Sequence, residues 1–173
     1  MNNSIKSLFI LLLYPFYCQA EVIDGSANGF SIQIERELAA NQQQAYRQFL
    51  NISQWWLDDH TYFGNSNKLS INPNARGCFC EVDGDKQVLH MTVSDVEPNK
   101  EIRMIGGLGK MQMMGINGGM SWQFLAIDSK NIKIVHRYQV SGALEGGLDK
   151  LAPIVNKVQT LQVESLVSKI LNK

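Results

Sequence analysis

Two cysteines separated by one residue, Cys78-Phe79-Cys80, form the most chemically suggestive pair in the chain. On a strand both side chains point to one face, with Cα atoms about 6.5 Å apart by the strand rise. That spacing lies near the upper limit for a disulfide. Extended backbone also sets the Cβ atoms side by side, so a bridge requires a local kink. Three chemistries stay open: two small buried apolar side chains, a reducible disulfide, or a soft-metal site using both thiolates with a histidine or methionine. Zinc would need two more ligands, and no CxxC or HxxxH partner exists. Copper(I), which accepts thiolate and thioether sulfur, fits a methionine-rich chain better.

His136 and Tyr138 form a second chemical pair, two residues apart on one strand face. They could orient the polar end of a ligand or serve as acid and base, or be core groups bonded to each other or to backbone. His90 has the opposite parity to Leu89 and Met91 and is expected at solvent. His60, after Trp55 and Trp56, reads as a structural loop residue. Glu81 has the opposite parity to the cysteines and reads as an ordinary exposed strand residue. No GxSxG, HExxH or carboxylate pair in a recognisable context is present.

The segment Gly106 to Gly119 carries Gly106, Gly107, Gly109, Gly115, Gly118 and Gly119, with Met111, Met113 and Met114 between them. No strand alternation survives there, and a loop or a single helical turn fits better. Methionine is flexible and polarisable and adapts to varied apolar partners, so the segment is either a gate over an apolar ligand or a loop packed on the core. Neither P-loop spacing nor the dinucleotide fingerprint stands in its required strand-loop-helix context.

These residues need a scaffold to hold them. From Gly29 to Leu38, Phe30, Ile32 and Ile34 alternate with Ser31, Gln33 and Glu35, which predicts a half-buried strand. Asn41 can cap a helix through Ala45, Phe49 and Leu50, and Ser53 can start a short one through Trp55, Trp56 and Leu57. Strands follow over 68–72, 78–82, 87–96, 101–105, 120–127 and 132–141, punctuated by Asn72-Pro73-Asn74, Asp83-Gly84-Asp85, Glu97-Pro98-Asn99 and Asp128 to Asn131. Such short connections imply an antiparallel meander. After Gly146-Gly147 a long helix is predicted over 148–171, with Asp149 as cap. Its apolar stripe comprises Leu151, Ile154, Val155, Val158, Leu161, Leu166, Val167 and Ile170. Strand parity then assigns an inner face: Leu89, Met91 and Val93; Ile102 and Met104; Met120, Trp122 and Phe124; Ile132, Ile134, His136, Tyr138 and Val140.

The order of strand, two short helices, antiparallel strands and one long last helix resembles the helix-grip fold of the START and Bet v 1-like superfamily, and within it the bacterial polyketide cyclase/dehydrase-like members. The residues that carry the likeness are Trp55-Trp56, His60-Thr61-Tyr62, Gly77 to Glu81, Gly106-Gly107-Leu108-Gly109 and Gly146 to Asp149. The family often has Pro-Leu-Gln after the third of those glycines; here it is Lys110-Met111-Gln112. The resemblance implies an α+β domain in which a curved antiparallel sheet grips the last helix, with a cavity between them. Candidate pocket residues are then Trp55, Trp56, Met91, Met104, Met111, Met113, Met114, Met120, Trp122, Phe124, His136 and Tyr138, with Trp55 and Trp56 capping one end or packing the short helices. The superfamily includes lipid carriers, hormone receptors, cyclases and cochaperones, so it implies a fold more than a function.

The front of the chain sets an expected compartment. Lys6, the apolar run Leu8 to Tyr14 and Cys18-Gln19-Ala20 follow the layout of a cleaved secretory signal. The apolar run is too short for the roughly 20 residues a membrane span takes, and Tyr17 before Cys18 argues against a lipid-attached cysteine. Residues 1–20 are thus expected to be a signal peptide, and residues 21–173 a single domain. The chain balances 16 basic against 16 acidic residues, and losing Lys6 leaves a net charge of −1. No basic patch for nucleic acid or for an anionic membrane follows from that. The expectation is a periplasmic or secreted binder of an apolar small molecule or lipid, with no cofactor. The alternatives are a cyclase-, dehydratase- or hydrolase-like enzyme in the same cavity, and a copper or redox protein centred on Cys78 and Cys80. The sequon Asn51-Ile52-Ser53 matters only in a glycosylating host.

Overall fold

A computed structural model describes residues 19–172. Eight strands form one antiparallel curved sheet: β1 (Gln19–Ser26), β2 (Gly29–Ala39), β3 (Leu69–Ile71), β4 (Cys78–Asp83), β5 (Lys86–Glu97), β6 (Glu101–Ile105), β7 (Asn117–Ala126) and β8 (Asn131–Ser141). Helix α1 (Gln42–Leu50) follows β2, and helix α2 (Ala152–Leu171) ends the fold. The strand order is β1-β2-β8-β7-β6-β5-β4-β3. Strands β3 to β8 are therefore a meander, and β8 returns to pair with β2. This is the helix-grip α+β arrangement that the order of elements implied.

The turns form where the sequence punctuates. Gly84 takes φ 61° in the hairpin between β4 and β5, and Asn99 takes φ 69° between β5 and β6, positions where Gly and Asn lose least. Asp128 accepts from the backbone N–H groups of Lys130 and Asn131 before β8. Asn41 caps α1 by accepting from Gln43 and Gln44 N–H.

Three features of the elements differ from the sequence reading. The first strand is β1, not the strand beginning at Gly29. It starts at Gln19, two residues before the expected mature N-terminus, and pairs with β2 from Glu35 to Gly29. The signal peptide itself falls almost wholly on residues outside those described. Second, the segment expected to be a short helix from Ser53 is a 3-10 turn over Ile52–Gln54 followed by another over Asp58–His60. Third, α2 starts at Ala152 after a 3-10 turn over Leu148–Lys150, so Asp149 is not its cap, and it buries a different face. Ile154 and Leu161 of the expected stripe are exposed, while Gln159 and Gln162 are buried beside Val163, Leu166 and Ile170. The polar groups beneath the helix explain this. Gln162 accepts from Leu57 N–H at 3.0 Å and bonds His60 Nδ1 at 2.7 Å, and Gln159 lies 3.0 Å from His136. A purely apolar stripe would leave those groups unmet.

The core is the inner face of the sheet, closed by α1, α2 and the connection carrying Trp55 and Trp56. Helix α2 lies over β1, β2 and α1. Phe49 of α1 sits at the centre of an aromatic group, with ring centroids 5.2 Å from Trp122, 5.6 Å from Phe124 and 5.8 Å from Trp55. Such pairs add stability beyond the area they bury. Trp55 donates its indole N–H to Phe49 O, Trp56 donates to His60 O, and Ser165 of α2 donates to Trp55 O.

Candidate functional site

The inner-face residues assigned by parity are mostly core. Met91, Met104, Met120, Trp55, Trp122, Phe124, His136 and Tyr138 are each at most 3% exposed, and Trp56 is 6%. Ile102, Val93, Ile132, Ile134 and Val140 are buried with them. Leu89 is a correction: it is 51% exposed.

His136 stacks on Trp122 at 4.0 Å. Its Nδ1 lies 3.2 Å from Ser121 O and its Nε2 lies 3.0 Å from the Gln159 side-chain amide. Burial pushes the imidazole down to about 4, so at neutral pH the ring carries one N–H. The Ser121 carbonyl can only accept, so Nδ1 donates to it. Nε2 then accepts, which a half-turn of the Gln159 carboxamide, presenting its NH2, satisfies. Tyr138 accepts from Leu108 N–H through its hydroxyl oxygen, and burial pushes the phenol up to about 12. Both side chains are thus tied to the scaffold.

Cys78 and Cys80 are joined in a disulfide, with Cα atoms 5.4 Å apart. Both sulfurs are used, so in this state the pair presents no thiolate to a metal. The kink such a bridge requires is visible in the pairing. Phe79 faces Met91 but Cys80 faces Leu89, so β5 carries one extra residue, His90. A bulge of this kind breaks the alternation of faces.

That bulge corrects the placement of His90. His90 is buried, 3% exposed, beside the buried Met91. Its ring stacks on Phe79 at 4.6 Å and lies 5.7 Å from the Tyr62 ring. Glu81 is corrected as well: it is fully buried. It shares the inner face with Phe79, and its burial is compensated by three contacts. Tyr62 N–H donates to Oε2 at 2.9 Å, Phe63 N–H donates to Oε1 at 2.7 Å, and His90 Nε2 lies 3.1 Å from Oε2. Desolvation lowers the His90 imidazole below its ordinary value, and Glu81 pulls it the other way. The parity of Glu81 was readable from the sequence; its partners were not, because they come from the bulge and from backbone N–H groups.

The methionine segment is a 3-10 turn over Gly109–Met114, ended by Gly115 at φ 69°. Gln112 ties it to the bulge by donating to both Leu89 O and His90 O. Met111 packs against the core, whereas Met113 is 89% and Met114 46% exposed. Where β5 and β6 part, a surface depression of about 450 Å³ opens. It is lined by Tyr62, residues 87–92, Ile105, Gly106, Gly107, Gln112 and Met113. Met91 and Met113, two of the expected pocket residues, meet His90 there.

No family model and no curated protein matches the chain. Solved structures do match. An uncharacterised protein from Rhizobium leguminosarum superposes with TM-score 0.61 at 17% identity, covering 86% of this chain and 98% of its own. Truncated norcoclaurine synthase from Thalictrum flavum gives 0.60 at 10% identity, covering 87% and 99%. A conserved protein of unknown function from Enterococcus faecalis gives 0.55 at 12%, covering 86% and 74%. The likeness is one of fold. It is consistent with a Bet v 1-like helix-grip domain, and the substrate of the synthase does not transfer at this identity. Among the described residues no helix is long and apolar enough to cross a membrane, and no group of three or more His, Cys, Asp or Glu could hold a metal ion.

Proposed function

We propose that the protein is an exported binder or carrier of an apolar small molecule or lipid, taken up at the depression beneath the methionine segment. The observation that carries this reading is Met113. It is 89% exposed on a short turn between Gly109 and Gly115, at the rim of a depression walled by Tyr62, Leu89, Met91 and Ile105. Leu89 and Ile105 are exposed beside it, and a contiguous exposed apolar patch marks a binding surface in a way that a single exposed side chain does not. Methionine in a glycine-flanked turn can adjust to its partner. The reading moves the ligand from the interior between sheet and helix, where buried side chains pack as core, to this depression at β5 and β6. The leader pattern supports export, since Lys6, the apolar run and Cys18-Gln19-Ala20 stand in the order a signal peptidase reads.

A second reading, a redox protein at Cys78–Cys80, draws on the disulfide. An enzyme using His136 and Tyr138 is less well supported, since both side chains are committed to scaffold bonds.

Native mass spectrometry of protein recovered from the periplasm without detergent tests the main reading. The expected spectrum begins at Glu21 and carries an excess of a few hundred daltons that is lost on denaturation. A bare protein of that mass, showing no uptake of alkyl alcohols or naphthalenes on titration, would remove the carrier reading. A chain retaining residues 1–20 would remove the export reading.

A further inference from the structure

The inference below rests on that reading and names the polar group the ligand must carry. Leu89, Met91, Ile105 and Met113 give the depression apolar walls beside the polar Gln87 and Thr92, and the NH2 of Gln112 is already spent on Leu89 O and His90 O. His90 is different. A carboxylate oxygen only accepts, so with His90 Nε2 3.1 Å from Glu81 Oε2 the imidazole proton sits on Nε2 and donates to Glu81. Glu81 cannot swing away, because Tyr62 and Phe63 N–H groups hold its two oxygens. In the neutral ring the other nitrogen, Nδ1, is then a bare lone pair. It is buried, and among the described residues it has no hydrogen-bonding partner. A buried acceptor left unmet is costly. This one belongs to a residue that lines the depression and that the β5 bulge has turned inward. The rings of Phe79 and Tyr62 pack against its imidazole.

We propose that His90 Nδ1 is the polar contact of this site, and that the ligand is an apolar molecule bearing a hydroxyl or N–H donor, such as a phenol or an alcohol, rather than a carboxylic acid. A carboxylate would bring a negative charge toward Glu81 and offer Nδ1 no proton. Glu81 acts as a positioning residue: it fixes the tautomer that leaves Nδ1 free to accept.

The test uses the full mature protein labelled with 15N, with 2-naphthol, 2-methoxynaphthalene and 2-naphthoate as probes at pH 7.5. Long-range N–H correlation in the free protein is expected to show His90 protonated on Nε2 alone. Naphthol is expected to bind at least ten times tighter than its methyl ether and to move the Nδ1 resonance, which the ether leaves in place. In His90→Phe the two affinities converge; because the wild-type spectra answer the question, the outcome does not hang on that variant folding. A proton on Nδ1 in the free protein overturns the proposal, as does a preference for naphthoate. Equal binding of naphthol and ether with His90 unmoved overturns it while leaving the apolar-binder reading intact. Failure of every probe to bind overturns the proposal, and the apolar-binder reading falls with it only if the periplasmic protein is also bare and takes up no alkyl alcohol.

Discussion

At the scale of single residues, buried polar groups decide how the protein responds to pH. His136 is fully buried with its imidazole held near 4, against an ordinary 6.5. The fold favours the neutral ring, so between those values the unfolded chain binds more protons and stability rises with pH. The contribution is complete above about pH 6.5 and is lost as pH falls to 4, about 3 kcal/mol in all. Urea unfolding at pH 7.5 and 4.5 checks this. His136→Gln is expected to be less stable at pH 7.5 but to lose about 3 kcal/mol less on acidification than the parent. Equal losses would contradict the assignment. Glu81→Ala removes the acceptor for two backbone N–H groups and for His90, and a loss of about 3 kcal/mol in the same assay is expected. Some of this was legible: alternation placed His136 and Tyr138 inside. Glu81 was read as exposed, although its parity matches that of the buried Phe79. The habit of assigning carboxylates to solvent hid it, as nothing in the sequence announces the N–H groups of Tyr62 and Phe63. His90 was illegible because one extra residue in β5 reverses the rule.

At the scale of elements, close approaches fix the sheet around the site. A Cβ on Gly118 would lie 2.5 Å from Gln139 O and 2.9 Å from the Tyr138 ring, whereas one on Gly119 would meet nothing within 4 Å. Gly118→Ala is therefore expected to cost about 1–3 kcal/mol and Gly119→Ala close to none, a contrast that thermal melts of the two variants measure. The Cys78–Cys80 bridge closes a very short loop, so Cys78→Ser/Cys80→Ser should lose only about 1–2 kcal/mol by the loop-entropy relation. A much larger loss would mean that the bridge holds the β5 bulge, and with it the Glu81–His90 contact. Strands β4 to β8 and α1 were legible because alternation, turn residues and the Asn41 cap agree. Strand β1 was not, since its first two residues merge with the leader pattern. The buried face of α2 was misread for a physical reason: Gln159 and Gln162 face polar groups that only the tertiary fold supplies.

At the scale of the molecule, the order of elements was enough to name the architecture, because short connections force neighbouring strands to pair and a long terminal helix must cover the sheet they make. The candidate site was less legible. Parity assigned the methionines and aromatics to one inner face, yet Met104, Met120, Trp122 and Phe124 are packed in the core while Met113 stands at the surface beside a depression. The central claim is that a ligand seats at that depression. Methyl NMR of protein labelled at methionine, titrated with 2-naphthol, tests it most directly. The account predicts movement of Met91 and Met113 with Met104 and Met120 unchanged. Movement of Met104 and Met120 with Met113 silent, or no movement at any methionine, would contradict it.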